Sequence, residues 1–541
     1  MSNKTSSGWD GIPNIALKRL PKICIRNYTV IFNNCSNNAY FPEVWKLAKL
    51  IILIKKISEA ISIDNIRPIS MLPPISKIFE RIINRIITYF STVKKPVIPP
   101  QQFGFRKSHA TTHAIHKLVS DLYWHMSKGD MIGAVLIDLK KAFDSVWHNG
   151  LIYKLAKIET PIHLLKLIYN MILNRSFKVS LNGIVSNQFW ISKGLQQGTV
   201  NSPALFNIFT ADILRLFDLN NNKNIYGIAF TDDVIAYIAN RKMAMIEKNL
   251  QIIYNKISDY YKNWKLQVNP KKCETILFRD VLEGKDLYTR KNWRKFQIKD
   301  TSNDIVIPHK RIVKYLGVHL DDRLKFNDHM KIQLNKAKDT FNQLHRLSYS
   351  KHLNDRAKII SWLSLIRPIV TYACPIWFNI SSSYMEKLRL FERKVIRASL
   401  FLYRSKEHQF MKKVSNFVLL REAKIPRIDS FIIKLIRDHI KNSIKNQENN
   451  LIYGPYFEKT LFHMNNMRSG FIPPETFLYL DQNGYIVDED MVPYFYHVPR
   501  HNSNKRILFK PERKNNLSLV YSTATTEFDK RILDKFHYYK K

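Results

Sequence analysis

The run IYGIAFTDDVIAYIA, residues 225–239, constrains this chain more than any other stretch. Apolar residues lead into Asp232 and Asp233 and a second apolar run leads out, which predicts two buried strands joined by a tight acidic turn. Adjacent carboxylates at the tip of a buried hairpin repel one another and resist desolvation. A divalent cation relieves both penalties, and hard ions such as Mg²⁺ prefer carboxylate oxygens. Taken alone, an apolar-Asp-Asp-apolar string is more often an ordinary polar turn than a metal site. The choice turns on whether the chain supplies another acidic ligand and a substrate.

MIGAVLID at 131–138 reads as a buried strand that ends on a third carboxylate, Asp138. Downstream, Asn182-Gly183 between alternating segments predicts a hairpin, and Ser202-Pro203 marks a helix start. Apolar or aromatic residues at Met243, Ile246, Leu250, Ile253, Ile257, Tyr260 and Trp264 step by threes and fours, which predicts a long amphipathic helix. CETILF then reads as a closing strand. The order over 131–278 predicts an antiparallel sheet with helices on one face and the other face open as a concave platform. Asp138 and the Asp232/Asp233 pair would meet at neighbouring strand ends. Carboxylates bridging two metals suit in-line phosphoryl transfer, because attacking and leaving oxygens are both stabilised.

A substrate class follows from charge. Among 541 residues Lys plus Arg number 86 against 44 Asp plus Glu, a formal charge of +42 at 45% hydrophobic content. That balance predicts a folded protein of two or three domains with a polyanionic partner, nucleic acid first and a membrane surface second. The apolar run LAKLIILI at 47–54 is too short to span a bilayer, and the N-terminus carries no apolar signal core. Four cysteines without metal-ligand spacing indicate neither a disulfide framework nor a zinc knuckle. His109, His113 and His116 lie close to one helical face, but without a fourth ligand they read as solvated residues at a helix start. The expected location is intracellular.

Ordered blocks then resemble a known family. LIDLKKAFDSVWHNGLIYKL (136–155), KGLQQGTVNSPALFNIFTADI (193–213), FTDDVIAYIA (230–239), WKLQVNPKKCETILF (264–278) and KYLGVHLDDRL (314–324) follow the order and spacing of reverse transcriptases. They are similar to those of non-LTR retrotransposons of the Jockey-like group. RPISMLPPISKIFERII (67–83) and QQFGFRKSHATTHAIHKL (101–118) resemble the preceding finger motifs, and LIRPIVTYACPIW (365–377) the region after the polymerase core. The resemblance covers roughly residues 8–400. It implies an α+β right-hand polymerase with fingers, palm and thumb. Its antiparallel palm sheet would be backed by helices, with a mainly helical C-terminal region after it. By this reading 1–130 form an N-terminal extension and fingers, and 131–320 the palm with the catalytic motifs and primer grip. The reverse transcriptase domain as a whole runs from about 45 to 320. Residues 321–445 form a helical thumb or connection, and 446–541 a basic region of unknown role, in which NKRILFKPERK at 504–514 stands out.

The implied activity is RNA-directed DNA synthesis from a primer 3′-OH on an RNA template with dNTPs, using two Mg²⁺ ions or Mn²⁺ in their place. Asp138 and Asp232 would hold both metals and Asp233 would be a secondary ligand. Phe143 takes the place of the steric gate against a ribose 2′-OH, with a core phenylalanine under the turn as the alternative. Gln197 and Gly198 lie in the nucleotide- and template-contacting loop. Lys272 matches the general acid for the pyrophosphate leaving group, with Lys271 as its rival. Arg67 matches the arginine that clamps the triphosphate, and Lys55 the first finger lysine. Asp321 and Asp322 read as solvated turn residues.

The chain departs from the family in three places: KKISEAISIDN replaces the usual finger turn, Thr231 stands where Ala is common, and Gln196 where Pro is frequent. The expected chain is a truncated element or partial reading frame without its endonuclease. It would therefore need a nick or 3′-end from a separate endonuclease, act on a DNA target as part of a nuclear and cytoplasmic ribonucleoprotein, and need no membrane. The alternative is a catalytically inactive remnant that only binds RNA.

Overall fold

The computed structural model describes residues 7–54, 66–181, 183–218, 224–279, 296–302, 304–377, 380–403 and 414–445. Lys55, the altered finger turn, Asn182 and the basic segment 504–514 lie outside the described residues. In chain order the strands are β1 (Leu47–Ile54), β2 (Ile66–Met71), β3 (Met131–Ile137), β4 (Arg175–Leu181), β5 (Ile184–Val185), β6 (Phe189–Ile191), β7 (Ile225–Phe230), β8 (Asp233–Asn240), β9 (Glu274–Phe278), β10 (Lys299–Asp300), β11 (Ile305–Val306), β12 (Ile312–Tyr315) and β13 (Val318–Asp321). Helices join and cover them, so the architecture is mixed α/β.

The most apolar strands form a four-stranded antiparallel sheet in the order β7-β8-β3-β9. In β3 and β8 nearly every position is apolar, so neither strand has a polar face to give to water. Ile132, Ala134, Ile235, Tyr237 and Ala239 turn to one face and join the apolar core of helix Thr111–Ser127. Val135, Ile137, Val234, Ala236 and Ile238 turn to the other and join the core of helix Met243–Asn263, where Ile246, Leu250, Ile253 and Ile257 realise the predicted stripe. That helix lies so close that a Cβ on Gly133 would stand 2.3 Å from Ile246 Cγ2. The expectation of one open sheet face is therefore corrected. Helices cover both faces, and the end of the sheet lines a cleft.

A second sheet runs β2-β1-β4-β5, with β6 also on β4; β1 and β4 are parallel and β1 and β2 antiparallel. The predicted hairpin at Gly183 appears as the Leu181↔Ile184 pair. After β13, helices Asn327–Gln343, Ser382–Leu400 and Ile428–Lys445 close around buried Trp362 and Trp377. Their core is continuous with the first face of the central sheet. Among the described residues no helix is long and apolar enough to cross a membrane.

Two polar expectations are corrected by burial. His113 and His116 are enclosed, not solvated: His113 Nε2 lies 2.8 Å from Ser443 Oγ, and His116 Nδ1 lies 3.2 Å from His439 Nε2. Burial, with His116 and His109 nearby, pushes His113 down to about 4. Asp321 and Asp322 are buried too. Asp321 accepts from the backbone N–H groups of Arg323 (3.1 Å), Lys325 (3.0 Å) and Phe326 (2.7 Å), fastening the turn that leads into the next helix.

Glu392 gives the helical region a pH signature. It is fully buried, and its Oε2 accepts from Ile428 N at 3.0 Å. Burial raises its carboxyl to about 8 against the ordinary 4.5, with Ile428 N–H, Arg367 and Arg427 opposing and Asp429 assisting. The folded chain thus keeps a proton that the unfolded chain loses between those values, and stability falls as pH rises through that window. Glu392→Gln should melt like the parent below about pH 5 and gain on the order of a few kcal/mol above pH 8. Thermal melts across that range would show parallel curves if the assignment is wrong.

Candidate active site

The register of the central sheet brings the acidic residues together. Ile137 of β3 pairs with Val234 of β8, and one further step of that register sets Asp138 across from Asp233. Asp138 is held from the β9 side as well. Its N–H points to Cys273 Sγ at 3.4 Å, and its carbonyl accepts from Asn269 N at 2.8 Å. Thr231 and Asp232 form the two-residue turn between the paired Phe230 and Asp233. Such turns favour positive φ at one or both central residues, and a left-handed non-glycine residue costs about 1–2 kcal/mol. Thr231 takes that conformation, with φ +63°.

Asp138, Asp232 and Asp233 line one cleft of about 1340 Å³. Burial raises the carboxyl of Asp232, and Asp138 adds to the rise, while its own N–H and Arg67 oppose it. Asp233 is pushed up to about 6, first by loss of hydration and then by Asp232 and Asp138. Its side chain has exposed area, but protein walls the cleft around it and thins its hydration. The shared direction of these shifts marks a place that favours a cation. Among the described residues no three His, Cys, Asp or Glu side chains close into a metal-holding cluster. Carboxylates lining an open cleft suit Mg²⁺, which is commonly held by one or two carboxylates together with substrate phosphates.

The other expected residues line the same cleft, except Lys55, which lies outside the described residues. Arg67 is exposed on β2 and faces it. Phe143 stacks on Phe206 with ring centroids 4.6 Å apart and also lines the cleft. Lys272 is a wall residue and Lys271 is not among those lining it. Gln197 carries a carbonyl that accepts from Ser70 N at 2.8 Å. Gly198 has φ +113°, and a Cβ there would stand 2.5 Å from Ser70 O, so no other residue fits the approach of this loop to β2. A smaller extension of about 300 Å³ runs from Asp138 and Asp233 past Lys314 to the Leu316-Gly317 turn between β12 and β13.

A buried ionic network went unforeseen. Glu80, fully buried on helix Pro74–Tyr89, accepts from Arg175 Nη2 at 2.8 Å and from Val200 N at 2.9 Å. Arg175 Nη1 also donates to Gln196 Oε1 at 3.0 Å. The departure at Gln196 thereby ties the Gln197-Gly198 loop to two elements of the scaffold. The available signal was a glutamate inside an otherwise apolar helical stripe, FERII at 79–83.

Comparison with known proteins gives the same direction. The family described as "Reverse transcriptase (RNA-dependent DNA polymerase)" matches residues 54–320. The "RNA-directed DNA polymerase from mobile element jockey" of Drosophila melanogaster is 28% identical over 402 residues, 73% of this chain and 42% of that protein. The "Probable RNA-directed DNA polymerase from transposon BS" of the same fly is 28% identical over 398 residues, 73% and 43% of the two chains. The chain thus spans less than half the length of these curated relatives. Among solved structures, a telomerase from Candida albicans with a fragment of telomeric RNA aligns at TM-score 0.39 and 12% identity, covering 82% of this chain and 67% of that one. Residues 54–320, which hold the acidic hairpin and the strand facing it, are thus the part of this chain that matches the reverse transcriptase family.

Proposed function

We propose that the chain is an RNA-directed DNA polymerase of a non-LTR retrotransposon, extending a primer 3′-OH on an RNA template with dNTPs. The observation that carries the reading is the set of three carboxylates at one end of the central sheet, in a cleft that also holds Arg67, Phe143 and Lys272. In this reading 1–130 supply an N-terminal extension and fingers, 131–320 the palm and primer grip, and 321–445 the thumb. Asp138 and Asp232 hold two Mg²⁺ ions, with Asp233 as secondary ligand. Bound there, the ions would offset charge on the attacking and leaving oxygens of an in-line transfer.

The protein's own groups do the rest. The Arg67 guanidinium grips the triphosphate through paired N–H groups. Gln197 and Gly198 bring backbone close to the incoming nucleotide and template. The ring of Phe143 occupies the space of a ribose 2′-OH, and its stacking on Phe206 keeps it from yielding. Lys272 Nζ delivers a proton to the departing pyrophosphate oxygen. The working form is a ribonucleoprotein of cytoplasm and nucleus.

Purified protein should extend a DNA primer on an RNA template with dNTPs and Mg²⁺, and Asp232→Asn should lower incorporation by at least about a thousandfold. Protein that binds the primer–template and incorporates nothing would instead be a silent RNA-binding remnant. Phe143→Ala should raise rNTP use relative to dNTP by about 10- to 100-fold, read from kcat/KM for matched nucleotides. Unchanged discrimination would remove Phe143 as the gate.

A further inference from the structure

The acidic turn sits in a demanding conformation, and the residue that holds it comes from elsewhere in the chain. Thr231 is β-branched, buried and left-handed, with φ +63°. Such a residue persists only where its surroundings fix it from several sides. Its N–H is buried at the tip of the hairpin and needs an acceptor.

The QQFGF block supplies one. β7 is an edge strand of the central sheet. Along it, Ala229 N donates to Gln101 O at 3.0 Å, and Phe103 N donates to Ala229 O at 2.8 Å. These two bonds fix the residue between them, Gln102, beside the turn. Gln102 is buried, and its Oε1 accepts from Thr231 N at 2.8 Å and from Gly104 N at 2.9 Å. Its Nε2 makes a longer contact, 3.4 Å, to Thr231 O. One amide side chain therefore meets both backbone groups of the strained residue. Gly104 lets the loop lie flush, since a Cβ there would stand 2.2 Å from Thr231 Oγ1. The loop is anchored in turn by Asn207 Nδ2, which donates to Gly104 O at 2.7 Å.

We infer that Gln102 is a positioning residue: by bonding Thr231 N–H and C=O it keeps the turn left-handed and aims Asp232 into the cleft. It is not among the residues that line the cleft, and it acts through the backbone that precedes Asp232. The inference rests on reading Asp232 as a metal-holding carboxylate. It makes a demand that a mere core glutamine would not. Once residue 231 takes positive φ without strain, Gln102 should matter far less.

A double-mutant cycle on the full chain tests this, reading Mn²⁺ binding by electron paramagnetic resonance, primer–template affinity by fluorescence anisotropy, and primer extension. Gln102→Leu should weaken Mn²⁺ binding and extension by about 10- to 100-fold and leave primer–template affinity within about twofold. In the Thr231→Gly background the same substitution should change Mn²⁺ affinity by less than about threefold. Should Gln102→Leu fail to fold, Gln102→Asn, one methylene too short to keep both bonds, carries the same cycle. An equal loss in both backgrounds, no loss with Thr231 present, or no Asp232-dependent Mn²⁺ binding overturns the inference. A chain that binds Mn²⁺ through Asp232 but extends no primer defeats the polymerase reading alone, and the binding cycle still decides the role of Gln102.

Discussion

Mutual repulsion among Asp138, Asp232 and Asp233 is the constraint to which the surrounding structure answers. Loss of hydration first, and neighbouring carboxylates next, raise the carboxyls of Asp232 and Asp233, so a scaffold that keeps them there must be stiff. The central sheet supplies stiffness by burying both faces, which leaves β3 and β8 little freedom to slide. A slip of one residue would exchange the two apolar sets and carry Asp138 away from its partner. The helices on either side are thus part of what fixes the acidic site, although neither contributes a carboxylate to it.

The same logic runs through the loop at 194–202. Its backbone approaches β2 so closely that Gly198 tolerates no side chain, and a loop so confined needs an anchor. Glu80 and Arg175 form one, buried from water and satisfied by Gln196 and Val200 N. An ion pair in such a place adds little to stability, since desolvation offsets most of its attraction, but breaking it is costly. A glutamine where proline is frequent therefore has a physical account: its side-chain oxygen takes an Arg175 donor that would otherwise be left over.

What the sequence revealed follows the range of the forces involved. Strands β3, β7 and β8 and helix Met243–Asn263 were legible because their apolar spacing is local and strongly periodic. The three carboxylates and the cleft residues around them were legible through ordered family blocks. The number of covered sheet faces was not, although β3 and β8 carry the apolar residues that demand it; the platform expectation followed from element order alone. His113, His116, Asp321 and Asp322 were misjudged for another reason. A short polar segment gives no sign that a distant helix or turn will enclose it, and His439 and Ser443 lie more than three hundred residues from their partners. The tie between Gln102 and Thr231 was hidden in the same way, across a separation of 129 residues.

The shared core on the first face of the central sheet carries a consequence for where this protein can be divided. The family match ends at residue 320, yet Ile132, Ala134 and Tyr237 lie in one apolar cluster with Trp377, Val395 and Ile432. A boundary drawn by descent is not the boundary of a cooperative unit. Cutting at 320 would strip the helices that pack behind helix Thr111–Ser127, and would expose apolar residues of the core that this helix shares with the sheet. Because the apolar cluster crosses that boundary, a substitution in the helical region is felt by the strands that carry the carboxylates.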